Sequence, residues 1–117
     1  MRLNEVSYSN ALPVEGYGPG FFRIGGEAHE APLAVLPGGV VAWAGLEDVD
    51  PILAAAEQVD VILFGMGAEI AHLPPQLRAK LDDAGIGAEV MSSPQACRTY
   101  NVLLGEGRRV GLAVLPV

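Results

Sequence analysis

The sequence predicts a three-layer α/β fold, a single domain over residues 1–117 with a mixed central sheet. Three observations predict it. Short apolar runs separated by glycine-rich turns fill the first half, which is typical of antiparallel strands. Helical stripes alternate with continuous apolar runs in the second half, which indicates parallel strands covered on both faces. Half of the 117 residues are apolar, which is enough to bury a core without disulfides.

The first half contains three predicted strands. The opening residues are polar, and the segment EGYGPGFF (15–22) is predicted to be a loop or a sharp corner because it carries three glycines and a proline. We predict strands at 21–24, 28–36 and 40–44, joined by turns at Gly25-Gly26 and Pro37-Gly38-Gly39. An antiparallel set of this kind can leave an exposed edge, through which a homodimer could form.

The second half reads as β-α-β-α-β after a first helix. That helix covers 46–59, with Asp50 as its cap and Pro51 at the first helical position. Strands are predicted at 60–65, 87–91 and 110–117. The helices between them cover 74–87, with Gly85 as its stop, and 92–107. Right-handed crossovers between parallel strands place these helices against the sheet.

Composition excludes several classes of function. Fourteen acids against seven bases give a net charge of −7, which disfavours nucleic acid as a partner. The only adjacent bases, Arg108 and Arg109, are read as a solvated turn. The chain has no 18-residue apolar run and no apolar core of signal-peptide length, so we expect a cytoplasmic protein. Its single cysteine supports neither an internal disulfide nor a cysteine-rich zinc site.

A ligand site, if present, is predicted at the loops 65–75 and 91–98, which follow two strands of the parallel set. Gly65 and Gly67 fit either an ordinary turn or backbone that faces a ligand. Ser92 and Ser93 open a helix whose free N–H groups, with Arg98 one turn further on, could cradle a carboxylate or phosphate. The alternative is a helix cap followed by a solvated arginine.

Cys97 is a candidate reactive thiol. It lies in the first turn of the predicted helix beside Arg98, and both features lower a thiol pKa. A nucleophile also needs a base, and His72 in the facing loop is a better candidate than His29. The competing interpretations are a small side chain packed in the core and a redox or partner contact.

Tyr100 and Asn101 lie one turn beyond Cys97. We interpret them as side chains that tie down the loop 65–67, or as part of the ligand site. No metal site is predicted, because no histidine or cysteine has a close ligand partner. No catalytic residue and no cofactor are assigned.

Three ordered segments carry a resemblance to a known family. GYGPGFFRI (16–24), LFGMG (63–67) and LPPQLRAKLDDAGIGAEVMSSPQACRTYNVLLGEGRRV (73–110) resemble a family of small α/β domains that includes the mitochondrial respiratory complex I assembly factor 3. The resemblance runs from about Tyr17 to the end of the chain. It implies a three-layer α/β fold with a mixed sheet. It also implies a stand-alone bacterial relative, and for the mitochondrial member an assembly role at the inner membrane with partner proteins.

Two functions follow as hypotheses. The first is a non-enzymatic binding or assembly module with an unidentified protein partner and peripheral association with a membrane complex. The family motif is matched at Gly65, Gly67 and the run 97–101, but the resemblance implies no catalytic role for them. The second is a protein or enzyme for an anionic small molecule, with its site between 65–75 and 91–98.

Overall fold

The computed structural model describes residues 12–117, which form eight strands and three helices. Their order along the chain is β1 Val14–Gly18, β2 Phe21–Ile24, β3 Glu27–Glu30, β4 Leu33–Leu36, β5 Gly39–Ala42, α1 Asp50–Leu53, β6 Val61–Gly65, α2 Pro75–Asp83, β7 Gly87–Met91, α3 Ser93–Gly105 and β8 Val110–Val114. The expectations for residues 1–11 lie outside the described part of the chain.

The central sheet is mixed, as predicted. Its five strands lie in the order β5-β4-β8-β6-β7. Strands β8, β6 and β7 are parallel, whereas β4 and β5 pair antiparallel. A second, antiparallel sheet contains β1, β2 and β3 in that order. The predicted β-α-β-α-β half therefore builds the parallel part of the central sheet.

The three layers follow from which face of the central sheet each side chain occupies. Ile62 and Phe64 of β6 point to one face of the sheet. On that face they belong to the same core cluster as Ile52 of α1 and Leu81 of α2. Leu63 points to the other face, which α3 and the small antiparallel sheet cover. All of these side chains are buried, which explains why β6 reads as a continuous apolar run rather than an alternating one.

Glycines end the two longer helices. Gly85 has a φ of 77°, and the amides of Gly85 and Ile86 donate to Asp82 and Leu81 in the closing pattern that a left-handed residue permits. Gly107, with a φ of 79°, ends α3 in the same way. Because the chain reverses at these points, each helix leads directly into the next strand of the parallel sheet.

Two predictions for the first half were wrong. The run 28–36 is not one strand but two, β3 and β4, which belong to different sheets. Pro32 lies between them, and a residue without an N–H cannot continue a ladder. The run 15–22 is not a loop throughout, since β1 covers Val14–Gly18 and pairs with β2, and the sharp corner offered as the alternative is confined to the turn at 19–20. An irregularity between Val14 and Gly16 accommodates one extra residue, Glu15, in β1.

The helix predicted over 46–59 is also shorter than expected. Only Asp50–Leu53 is helical, and Asp50 is its first residue rather than its cap, which is Val49. Beyond it the chain continues in tight turns, in which the amides of Ala56 and Gln58 donate to carbonyls three residues back. These turns keep an apolar stripe on the sheet, so the periodicity resembled that of a longer helix.

Candidate functional site

The glycine turn after β6 packs directly on the start of α3. The Gly67 amide donates to Ser93 Oγ at 2.9 Å, and the Ser93 hydroxyl donates to the Leu115 carbonyl at 2.8 Å. The Ser93 amide in turn donates to the Gly67 carbonyl at 2.7 Å. At Gly65 an added Cβ would lie 2.7 Å from Ser93 Cα, closer than real atoms approach. The small residues of this turn therefore permit close packing between a strand end and a helix.

The first turn of α3 has no free amides to offer an anion. Ser92 caps the helix by accepting from the Gln95 amide at 3.3 Å, and the Ala96 amide donates to the Ser92 carbonyl. Pro94 has no N–H, and the Ser93 amide is bonded to Gly67. This geometry argues against the anion cradle expected at Ser92 and Ser93.

Arg98 does not join the glycine turn. It is exposed, and its Nη2 donates to Gln95 Oε1 at 2.7 Å, one turn back along α3. No bond between the guanidinium and the turn at Gly65 and Gly67 occurs among the described residues, so this contact gives the anionic-ligand hypothesis no support. A cap followed by a solvated arginine describes this end of the helix.

Cys97 is a buried side chain of the core formed by α3 and the small sheet, with 5% of its surface exposed. Burial raises the pKa of its thiol from 9.0 to about 12, although the neighbouring Arg98 acts in the opposite direction. The helix end and the arginine, which the sequence shows, would lower the pKa of the thiol, but desolvation, which only the folded structure shows, has the larger effect. Burial and the raised pKa argue against the candidate reactive thiol and favour the packing interpretation.

Tyr100 and Asn101 do not tie down the glycine loop, which corrects our interpretation. The Tyr100 hydroxyl donates to the Leu12 carbonyl at 2.9 Å. Asn101 Oδ1 accepts from the Val14 amide at 2.9 Å, and its Nδ2 donates to the Val14 carbonyl at 2.8 Å. The amide of Asn101 thus pairs with Val14 as a neighbouring strand would, so α3 fastens β1 and the segment before it.

Neither candidate base faces the thiol. His72 is exposed in the loop before α2. His29 lies on β3, where its Nε2 is 3.9 Å from Glu27 Oε1. Within residues 12–117, no three histidine, cysteine or acidic side chains are placed to hold a metal ion. In the same part of the chain, no helix is both long and apolar enough to cross a membrane.

A groove that sequence reasoning missed lies between α3 and β7, the strand at the edge of the central sheet. It measures about 390 Å³ and its floor is apolar. Its lining residues are Asp60, Val61, Leu63, Gly87, Glu89, Met91, Thr99, Leu103 and Arg108. One signal was available: Glu89 is a charge within a run that was read as a buried strand, and an inward-pointing charge is a common mark of a sheet edge.

Together, these features define a class: a small three-layer α/β domain whose candidate polar groups hold its own elements together. The chain belongs to the family described as protein of unknown function DUF498/DUF598, whose model matches residues 14–115.

Relatives and solved structures agree with this placement. An uncharacterized protein of Rhodobacter capsulatus is 50% identical over all of this chain and 94% of its own length. The human NADH dehydrogenase [ubiquinone] 1 alpha subcomplex assembly factor 3 is 31% identical over 99% of this chain and 67% of its own length. A crystal structure described as an outer membrane protein from Bartonella henselae superposes with a TM-score of 0.86 at 32% identity, covering 92% of this chain and 97% of that one. The expected relationship to complex I assembly factor 3 is confirmed.

Proposed function

We propose that this chain is a non-enzymatic protein-binding module that assists the assembly of a multisubunit NADH dehydrogenase. The observation that carries the proposal is the similarity to the human assembly factor, which extends over 99% of this chain. Because that similarity spans the whole domain, it supports a role that uses the complete domain rather than one transplanted motif.

The chemistry of the α3 region supports a binding role over a catalytic one. The hydroxyls of Ser93 and Tyr100 and the amide of Asn101 are each committed to backbone groups of this chain. Cys97 is buried with a raised thiol pKa. A catalytic set needs a nucleophile and a base within hydrogen-bond reach, and these side chains instead stabilise the position of β1 and the glycine turn.

The surface offers contacts suited to a protein partner. Within the described residues the large exposed apolar side chains are Tyr17, Ile70, Val102 and Val117. They lie on separate segments, and singly exposed apolar residues are normal. The groove beside β7 combines apolar and charged side chains with a sheet edge, and α3 forms one of its walls. An assembly module of this kind reaches a membrane complex by contact with one of its protein subunits.

Deleting the gene in the source organism tests the proposal. We expect isolated membranes to show reduced NADH-dependent quinone reduction and less assembled NADH dehydrogenase on native gels. The wild-type gene should restore both. Succinate-dependent quinone reduction is the matched control, since it uses a different membrane dehydrogenase. A deletion strain with an unchanged amount of assembled NADH dehydrogenase would contradict the proposed function.

A further inference from the structure

The outer edge of β7 has no strand partner in the part of the chain that the structure describes. Within the described residues β7 pairs only with β6. The Gly87 amide donates to the Asp60 carbonyl, and the Met91 carbonyl accepts from the Met66 amide, so the odd-numbered residues of β7 face β6. Backbone groups alternate sides along a strand, and the N–H and C=O groups of Ala88 and Val90 therefore point outward. Such groups form a template for one more strand.

A groove runs beside this open edge, and α3 forms its far wall. The side chains of Glu89 and Met91 face the groove, since positions 87, 89 and 91 share the sheet face of Val61 and Leu63. Gly87 has no side chain, which leaves room above Val61 and Leu103. An edge strand next to a helix-walled groove is the geometry in which peptides add by strand pairing, with alternate side chains entering the groove.

The charge at the centre of β7, rather than that of the whole groove, indicates what kind of strand is accepted, because the basic residue Arg108 also lines the groove. Glu89 projects into it, exposed and at the centre of β7. Asp60, at one end, lies 3.3 Å from the Nε of Arg109, which compensates its charge. Opposite charges on directly facing residues stabilise a pair of strands. A basic side chain opposite Glu89 would also be attracted by the net charge of −7.

A second copy of this chain fits the edge poorly. Two β7 strands could pair antiparallel with hydrogen bonds from the outward groups of both Ala88 and Val90. In that pair Ala88 of one copy would face Val90 of the other. That register places Glu89 directly opposite its own counterpart, and like charges in this position are destabilising. Glu89 therefore disfavours a homodimer at this edge and favours a different protein.

We propose that β7 and the adjacent groove bind an extended segment of a partner protein, added as a further strand of the central sheet. The segment carries a lysine or arginine opposite Glu89. It also carries apolar side chains two residues away on either side, one above Gly87 and one beside Met91. The proposal deepens the proposed function and rests on it, because it names the surface and the chemistry through which the module contacts its partner.

The other sheet edges are less suited to this role. The edge of β1 is occupied at Val14 by the amide of Asn101. The edge strand β3 carries two exposed acidic residues among its four, Glu27 and Glu30, whereas β7 carries one, Glu89, among its five, so β3 is protected more strongly against pairing. The edge strand β5 is four residues long and begins at Gly39, whose φ of 117° departs from strand geometry. A larger cavity of about 550 Å³ lies beside β5 and the end of β3, but strands and loops alone line it. Among the described residues, β7 is the edge strand whose groove is walled by α3.

The first experiment measures binding by fluorescence anisotropy. The probes are fluorescein-labelled, amidated heptapeptides, Thr-Val-Thr-Lys-Thr-Val-Thr and its twin with glutamate in place of lysine, titrated with protein up to ~1 mM. We expect the wild-type protein to prefer the lysine peptide by roughly fivefold and Glu89→Lys to prefer the glutamate peptide. Glu30→Lys, the same charge change on exposed β3, is the matched control and keeps the wild-type preference.

Three results would overturn the proposal: no binding of the lysine peptide, a preference that Glu89→Lys leaves unchanged, or an equal reversal by Glu30→Lys. A dimer of the wild-type protein in sedimentation that protects the amides of Ala88 and Val90 would also overturn it.

Complementation of the deletion strain separates this inference from the proposed function. We expect Glu89→Lys and Val90→Pro to restore less assembled NADH dehydrogenase than Glu30→Lys does at equal protein levels. Full restoration by both β7 variants would contradict the docking surface while leaving the assembly role standing. If the deletion itself has no effect, the assembly role fails, and the peptide titration alone decides whether β7 accepts a basic strand.

Discussion

Helix α3 has two flanks, one that hydrogen-bonds the neighbouring backbone and one that is separated from the neighbouring strand by a groove. On the β1 flank, Asn101 satisfies both backbone groups of Val14, and Tyr100 holds the Leu12 carbonyl. On the β7 flank, no partner for the outward backbone groups of Ala88 and Val90 occurs among residues 12–117, and a groove separates α3 from the strand. One helix thus closes one sheet edge and leaves another accessible.

The comparison shows that the polar residues which stand out in the sequence make their contacts on the β1 flank, where the backbone is hydrogen-bonded. The run 96–101 drew attention because it combines a thiol, a guanidinium, a phenol and an amide. Yet Cys97 is buried, and both Tyr100 and Asn101 bond to backbone. The β7 flank depends on features that are harder to recognise in the sequence, namely Gly87, Glu89 and the position of β7 at the edge of the central sheet.

Replacing Tyr100 with alanine should produce the largest loss of stability, because it empties a fully buried aromatic site on the β1 flank. We expect the free energy of unfolding to fall by about 3–5 kcal/mol in urea titrations. Tyr100→Phe keeps the ring and removes only the bond to the Leu12 carbonyl, so it should cost about 1 kcal/mol. Equal losses in the two variants would show that packing is not the main contribution.

The buried thiol of Cys97 predicts both slow chemistry and a pH effect. Its folded pKa of about 12 lies above its ordinary value of 9.0, so at neutral pH the folded thiol is thiolate roughly a thousandfold less often. Alkylation should be much slower in the native protein than in denaturant. Rapid native alkylation near pH 7 would contradict the burial.

The same shift sets the direction of the stability change. The contribution of the neutral thiol is fully present below pH 9.0 and is lost as pH rises towards about 12, because only the unfolded chain ionises readily in that interval. Burial also raises the pKa of Tyr100, which acts in the same direction. Urea titrations between pH 8 and 11 should therefore show falling stability, with a shallower fall in Cys97→Ala.

Removing the amide of Asn101 tests the fastening of β1. In Asn101→Ala the Val14 N–H and C=O both lose their partner, and we expect a loss of about 1–3 kcal/mol in the free energy of unfolding. Thr99→Ala is the matched control on the same helix, since within residues 12–117 its hydroxyl accepts from the exposed Gln95 alone. Its loss should stay within about 0.5 kcal/mol. If Asn101→Ala and Thr99→Ala lowered the free energy of unfolding by comparable amounts, the bonds from Asn101 to Val14 would not be what fastens β1.

Charge reversal at Glu89 should have the smallest effect on stability. The side chain is exposed, so Glu89→Lys should change the free energy of unfolding by no more than about 0.5 kcal/mol. This result would separate a binding residue from a structural one. A loss above about 2 kcal/mol would instead place Glu89 in the stabilising contacts of the fold.

Most of the second half could be predicted because several physical signals agree there. The apolar run marks β6, and the prolines mark the start of α2. The glycines mark the ends of α2 and α3, and all of these boundaries agree with the structure. In the first half the signals conflict. The glycines of β1 indicated a loop, although β1 pairs with β2, and the break at Pro32 was missed because residues on both sides read as strand.

The candidate site was less predictable because it depends on long-range contacts. The partners of Asn101 lie 87 residues away in the chain, and spacing within α3 cannot indicate them. Likewise, the helix end at Ser93 has the sequence of an anion site, but the Gly67 carbonyl reaches its amide only in the folded protein. The sequence located the helix and its capping residue, whereas the folded structure supplied the partners.

Amide hydrogen exchange, resolved by residue in the wild-type protein with and without the lysine heptapeptide, tests the contrast between the two flanks most directly. We predict that the Val14 amide is protected in both conditions, because Asn101 accepts it in the free protein. The amides of Ala88 and Val90 should exchange quickly alone and become protected when the peptide is added. Protection of Ala88 and Val90 without peptide, or no change on its addition, would contradict the account.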